Sequence, residues 1–225
     1  MVVTIFPLKV GVEIVKKLFR FNQKQKFILF DYETCGLNLC SQENKPWQLA
    51  FLVADQNKIF EKKDFYLKWD NINISEEAKK VTGFDQKKYE SISVDPKKVL
   101  DELDQYFYNP NYFIVGHNII GFDIYIHNIH RLLCKKVTDY SYMNRIIDTN
   151  CLAKAKSLDL KINSEDFLSW QIKLSHFRKR GLKTNLKFLC EHYNINFEEA
   201  KLHDALYDIT KNYEVFNKLI WDFDF

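Results

Sequence analysis

Four carboxylates in this 225-residue chain stand where they could do chemistry together. Asp31 and Glu33 close a short apolar run, FILF at 27–30. Their spacing of two puts both on one face of an extended strand. Asp123 opens a helical stretch that follows a second apolar run, YFIV at 112–115. Asp208 lies in the C-terminal helical stretch, a little more than one turn after His203. Carboxylates collected at strand ends and helix starts repel one another unless cations bind between them. Hard oxygen ligands of this kind select Mg²⁺ or Mn²⁺ over metals that favour softer donors.

The elements that must position them can be read from periodicity. Val10, Ile14, Val15, Leu18 and Phe19 predict an amphipathic helix over 10–21 with a basic outer face, inside an N-terminal extension of residues 1–26. The run 27–30 predicts a buried strand ending at Asp31. WQLAFLVAD (47–55) reads as a second strand, with a turn at Gln56-Asn57 and a third strand from Lys58 to Trp69. Ser75, followed by Glu76 and Glu77, opens a short helix that Gly83 stops. Pro96 starts another, to about Tyr108, with Val99, Leu100, Leu103 and Phe107 on one face. A fourth strand at 112–115 and a helix over 121–133 follow, then a strand end and helix over 146–156. Residues 157–181 read as an irregular, polar insertion, and 185–193 and 205–221 as the last two helices. Three antiparallel strands followed by strands alternating with helices predict an α/β fold, a mixed sheet with helices on its faces.

Composition narrows the class. The length suits one large domain, or one domain with additions. Charged residues at 28% and hydrophobic residues at 46% exclude a wholly disordered or collagen-like chain. With 33 Lys and Arg against 30 Asp and Glu, the net charge is +3, so the whole molecule is no polybasic coat. Binding to nucleic acid would need local positive charge, or a metal to supply it. Five Cys, an odd number with no Cys-x-x-Cys pair, argue against a disulfide framework and for a reducing compartment. The apolar N-terminus is broken by Lys9, Glu13, Lys16 and Lys17 and reads as neither signal peptide nor membrane span. A soluble, cytoplasmic protein without membrane contact is expected.

Three motifs, in order, resemble those of the DEDDh 3′–5′ exonucleases, the proofreading-type, ribonuclease-H-like nucleases. They are FDYETCGL (30–37), VGHNIIGFD (115–123) and HDALYD (203–208). Taken singly, Asp-x-Glu or His-x₄-Asp is as easily a solvated surface pair. The resemblance is carried by the three in order, each on the expected kind of element, and it covers about residues 27–221. PWQLAF (46–51), ISEEAKKVTGF (74–84), IDT (147–149) and NLKFLCEHYNI (185–195) are similar to lesser segments of the family. The resemblance implies an exonuclease domain over 27–225. Its fold would be a ribonuclease-H-like mixed sheet of three antiparallel strands and then parallel ones, flanked by helices.

It also implies a reaction: hydrolysis of phosphodiester bonds at the 3′ ends of single-stranded nucleic acid, with release of nucleoside 5′-monophosphates. Asp31, Glu33 and Asp208 would hold the metal that activates water, and Asp31 would bridge to a second. Asp123 would complete the site through bound water. Two Mg²⁺ (or Mn²⁺) ions would stand about 3.5–4 Å apart. His203 would be the general base, a role that suits an imidazole with its ordinary pKa of about 6.5. Residues five apart share a helix face poorly, so His203 is expected just ahead of its helix. Thr34 matches the part that receives the terminal 3′-hydroxyl, and Leu37 matches a wedge against the terminal base. Val81, Thr82 and Phe122 would line the same pocket, and His117 and Asn118 match a His-Asn pair near the cleft. For Leu37, Val81 and Phe122 ordinary core packing is the competing reading.

Three features depart from the family pattern. Cys35 stands where Thr or Ser is common, and strand alternation is expected to aim it away from Asp31 and Glu33, as packing. A zinc site from Cys35, Cys40 and a His fits no zinc spacing. The basic residues Arg178, Lys179 and Arg180, with Lys183 beyond, would grip the strand upstream of the cut through its phosphates if they flank the cleft. Elsewhere they are a solvated loop. The 1–26 extension would pack on the domain or dock a partner. Two further readings use the same motifs: a subunit acting mainly through a polymerase or another replication or repair protein, and an exoribonuclease. The motifs do not separate DNA from RNA, because that choice depends on room for the 2′-hydroxyl.

Overall fold

The computed structural model describes residues 22–163 and 166–223; the amphipathic stretch at 10–21 lies outside the described residues. Five strands form one sheet: β1 (Lys26–Thr34), β2 (Pro46–Ala54), β3 (Ile59–Tyr66), β4 (Tyr112–Gly116) and β5 (Ile146–Asp148). Their order is β3-β2-β1-β4-β5. β1 and β3 each pair antiparallel to β2, while β4 runs parallel to both β1 and β5. β1 takes the centre because Phe27, Ile28, Leu29 and Phe30 bury both of its faces.

Alternation along β1 splits the core in two. Phe27 and Leu29 share a core cluster with α5 (Thr149–Ser157), α7 (Leu186–His192) and α8 (Ala205–Leu219), and Phe27 meets Phe216 of α8 edge to face at 5.1 Å. Ile28, Phe30 and Tyr32 pack with α3 (Pro96–Phe107) and α4 (Asp123–Leu133). Asp31 and Glu33 continue the first set, so the sheet itself turns both carboxylates toward α8.

Local signals account for most of the boundaries. Ser75 caps α1 (Glu76–Thr82) by accepting from the Ala78 amide, and Gly83 ends it at φ 65°. Asp95 caps α3, with Pro96 in its first turn. Other boundaries differ from expectation. β1 continues past Asp31 to Thr34, and β3 stops at Tyr66, short of Trp69. The helix read from 121 starts at Asp123. A short helix unseen in the sequence, α2 (Gln86–Ile92), is capped by Asp85 and buries only Tyr89.

Two corrections have clear physical reasons. Residues 157–181 are not irregular throughout, since α6 (Phe167–His176) lies within them, capped by Asp166. Its buried Gln171 faces the three-residue edge strand β5. The carboxamide accepts from the Asp148 amide at 2.7 Å and donates to the Ile146 carbonyl at 3.0 Å, standing in for a further strand. Cys35 is a packing residue beside Trp47, Tyr66, Ile74 and Tyr89, but alternation is not the cause. It shares the parity of Asp31 and Glu33. A register shift between Glu33 and Thr34, where β1 ends, turns it away.

Candidate active site

The carboxylates meet near the C-terminal end of β1. Asp123 is buried, and its Oδ1 accepts the Tyr32 amide at 3.1 Å, placing it between Asp31 and Glu33 along the strand. Asp123 gets there through a tight β4–α4 turn. A Cβ on Gly116 would stand 2.1 Å from Ile119 Cγ2, so only glycine lets the turn fold back this closely. Asn118 adopts φ 63° in the same turn. Fully buried Asp148 then pins it, accepting from the amides of Asn118 and Ile120 at 3.0 Å each, and from Asn150 at 2.9 Å at the start of α5. Burial raises the Asp148 carboxyl, against the pull of these amides.

Asp208 occupies the first turn of α8. Asp204 caps that helix, its Oδ1 accepting the Tyr207 amide at 2.9 Å. His203 lies just ahead of the cap, exposed, with φ 71°. Its amide donates to Asp208 Oδ2 at 3.1 Å.

The electrostatics show how closely the charges crowd. Burial holds Asp31 well above the ordinary carboxylate range, and the charges of Asp123, Glu33, Asp208 and Asp204 add to it. Glu33 is raised in the same way, by burial and then by Asp208, Asp123 and Asp204. Burial pushes Asp123 up to about 7 against the hydrogen bond from Tyr32. It also pushes Asp208 to about 7, against the hydrogen bond from His203. Asp204 is therefore a fifth member of the cluster. Its signal was the acidic residue directly before a helical run, an N-cap pattern. Buried Gln48, paired across the ladder from Glu33, donates to Asp64 Oδ1 at 2.9 Å and reaches Asp204 Oδ2 at 3.5 Å.

The remaining candidates are distributed around this centre. Thr34 is buried and donates its hydroxyl to the Gly36 carbonyl at 2.5 Å. Leu37 is 85% exposed and Val81 56%, so neither belongs to the core, whereas Phe122 packs partly against the α3–α4 side. The Thr82 hydroxyl donates to Ala78 within α1. His117 Nδ1 bonds the Thr149 hydroxyl at 3.0 Å, and burial lowers its pKa to about 4 against a backbone hydrogen bond at Thr184. Arg178 folds back onto the Ser175 and Phe177 carbonyls at the end of α6, leaving Lys179 and Arg180 exposed. The Thr184 hydroxyl ties the far end of this loop to Asn150 at 2.9 Å, beside the Asp148 turn.

Among the described residues, no group of three or more His, Cys, Asp or Glu side chains stands in metal-holding geometry as it is. The residues nevertheless fit hard divalent cations. Asp208 Oδ1 is buried with no hydrogen-bond partner among the described residues, and the groups around it are carboxylates held together against their mutual repulsion. Among the described residues, no helix is long and apolar enough to cross a membrane.

Solved structures of exonuclease I share this fold. The zinc-ion-bound complex of the E. coli enzyme with single-stranded DNA aligns with a TM-score of 0.66 at 19% identity, covering 84% of this chain and 39% of that one. Its complex with a dT13 oligonucleotide gives 0.68 at 18% identity, covering 87% and 41%. An ExoI/SSB-Ct complex gives 0.64 at 17% identity, covering 85% and 40%. This chain thus spans about two fifths of those chains, 39% to 41%. No curated protein matches it. The mixed five-stranded sheet with flanking helices is the ribonuclease-H-like exonuclease fold. The RNase_T profile, described as Exonuclease, matches residues 28–216, and the chain belongs to that exonuclease family.

Proposed function

We propose that this chain is a metal-dependent 3′–5′ exonuclease that removes nucleoside 5′-monophosphates from single-stranded DNA ends. The observation that carries the reading is the buried Asp208 Oδ1, without a partner among the described residues, in a group of carboxylates that crowd one another at the end of β1. Oligonucleotide complexes of the structurally similar exonuclease I favour DNA over RNA as the first substrate to test.

Asp31, Glu33 and Asp208 would hold the ions, with Asp123 completing the set. When bound, two Mg²⁺ or Mn²⁺ ions would neutralise the phosphate and lower the pKa of the attacking water. His203 takes a proton from that water on an unprotonated ring nitrogen as the water oxygen bonds to phosphorus. The bond from phosphorus to the 3′-oxygen of the remaining strand breaks. That oxygen leaves with the electron pair and gains a proton from solvent, and the released nucleotide keeps its 5′-phosphate. Thr34 and the backbone after it would receive the terminal 3′-hydroxyl. Leu37 would pack against the terminal base, with Val81, Thr82 and Phe122 beside it and His117 and Asn118 at the rim.

The test is digestion of matched end-labelled DNA and RNA strands by the purified chain. Stepwise release of mononucleotides from 3′ ends with Mg²⁺, stopped by EDTA, is the expected result. Internal cuts, or hydrolysis indifferent to EDTA, would overturn the reading. Faster digestion of RNA would move the substrate to that polymer.

A further inference from the structure

The loop after β1, Leu37 included, lines a cavity of about 460 Å³, within the size range of small-ligand pockets. We infer that this cavity is a subsite for the base of the penultimate nucleotide, read through the carboxamides of Asn38, Asn71 and Asn73. The inference rests on the proposed exonuclease reading and on Leu37 meeting the terminal base.

Position gives the first argument. Leaving the carboxylates, the chain passes Thr34 and enters the cavity at Cys35, and exposed Leu37 is itself part of the cavity wall. Asn71 and Asn73, which also line the cavity, stand a few residues before the helix that carries Val81 and Thr82. The cavity therefore includes Leu37 and is continuous in sequence with the other segment assigned to the terminal base. A strand whose last base rests on one side of Leu37 would bring its next base to the other.

Chemistry gives the second. The lysine of the cavity, Lys45, already donates to the carbonyls of Asp70 at 2.5 Å and Asn71 at 3.4 Å. Glu43 lines the same space, so a phosphate would meet a carboxylate and a committed cation. What is left is neutral. The carboxamides of Asn71 and Asn73 make no hydrogen bond among the described residues, and Asn38 uses only its Oδ1, accepting from Cys40. A carboxamide offers a donor and an acceptor side by side, which matches the edge of a nucleobase.

The wall is also built in advance. Asn44 is 4% exposed, accepts the Gly36 amide at 2.8 Å and donates to the Asn38 carbonyl at 3.0 Å, locking the loop across its width. A ligand would have little ordering cost to overcome.

The test uses the full chain and a variant carrying Asn71→Gly and Asn73→Ala, with Asn73→Ala alone as a second variant. Glycine is chosen because Asn71 has φ 53°. DNA oligonucleotides differing only in the penultimate base, or abasic there, are compared with the p-nitrophenyl ester of thymidine 5′-monophosphate, which has no penultimate nucleotide. Wild type should vary by about five- to tenfold in kcat/KM across the bases and lose a similar factor on the abasic strand. The double variant should treat all strands alike within about twofold and hydrolyse the ester as wild type does. Wild-type indifference to the penultimate base, or an unchanged base profile in both variants, would overturn the subsite. Failure of wild type to hydrolyse the ester and every strand would instead overturn the exonuclease reading, and the subsite with it.

Discussion

Asp208 divides its two carboxylate oxygens between two tasks: Oδ2 accepts the backbone amide of His203 at 3.1 Å, while Oδ1 is buried with no partner among the described residues. The first contact holds His203 in a left-handed conformation, φ 71°, that few residues adopt without help. The second leaves one hard oxygen free for an ion. One side chain thereby couples the placement of the proposed base to the proposed metal centre.

Replacing His203 with Asn separates backbone from ring. Asn tolerates a left-handed backbone and keeps the amide that Asp208 accepts, so the loop should hold. The ring is lost, and single-turnover hydrolysis should fall by about 10²–10⁴-fold, the usual worth of a general base. Mn²⁺ affinity by calorimetry should be unchanged, whereas Asp208→Ala should lose affinity and rate together. A His203→Asn enzyme within about threefold of wild type would move the base elsewhere, with Tyr207 the next group along the helix.

The raised carboxyls predict a pH effect on stability of a definite sign. Asp123 and Asp208, both near 7 when folded against an ordinary 3.8, keep protons that the unfolded chain has already lost. Their contribution to stability is full at the acid end of that window and is lost as pH rises through 7. His117 and buried His130, lowered to about 4 and about 3, act oppositely, but only up to their ordinary value of 6.5. The metal-free protein should therefore lose thermal stability from about pH 6.5 to 8. Mn²⁺ should restore it, because an ion bound only by the folded state takes over the role of the protons. Asp208→Asn, measured in EDTA by scanning calorimetry, should flatten the slope. Stability that climbs with pH over this interval would contradict the crowding.

How much of this was legible follows from what kind of information each residue needed. Asp31 and Glu33 were visible as a pair because a two-residue period survives folding; His203 was singled out only by the resemblance of HDALYD (203–208) to a family motif, and the five-residue spacing then placed it ahead of its helix. Asp148 and Asp204 went unassigned, since each acts through amides or charges that only the fold brings near. The helix α6 escaped notice for a related reason. Phe167, Trp170, Gln171 and Leu174 do make a helical stripe, but its most buried member is polar. That Gln makes sense only once β5 is seen to end the sheet with open backbone groups.

Gly116→Ala tests whether the β4–α4 turn sets the site. The added methyl would collide with Ile119, itself fully buried and unable to retreat. Overpacking of this kind costs about 1–3 kcal/mol. Because the same turn carries His117 to Asp123, hydrolysis should fall further than stability alone explains, even well below the melting temperature. Adding Ile119→Ala to Gly116→Ala should recover part of the rate although it opens a cavity. Full activity in the single variant would show that the turn has slack.

The basic loop should matter for grip and not for chemistry, and the structure divides its residues unequally. Arg178 already closes the C-terminal end of α6 through the Ser175 and Phe177 carbonyls, so neutralising it should loosen that helix end and lower stability. Lys179 and Arg180 are exposed beside the segment that Thr184 ties to Asn150, and among the described residues neither side chain closes a helix end in this way. Removing a phosphate contact on a single strand takes away up to about 0.7 log units of salt dependence. Lys179→Gln with Arg180→Gln should therefore lower the slope by up to about 1.4, weaken binding to long oligonucleotides at low salt, and leave turnover at saturating substrate nearly unchanged. Adding Arg178→Gln should lower the melting temperature more than it lowers the slope further. Fluorescence anisotropy across a salt series, with melting curves for each variant, separates the two effects. An unchanged slope in the double variant would make this loop a solvated surface, and the strand upstream of the cut would have to be held elsewhere.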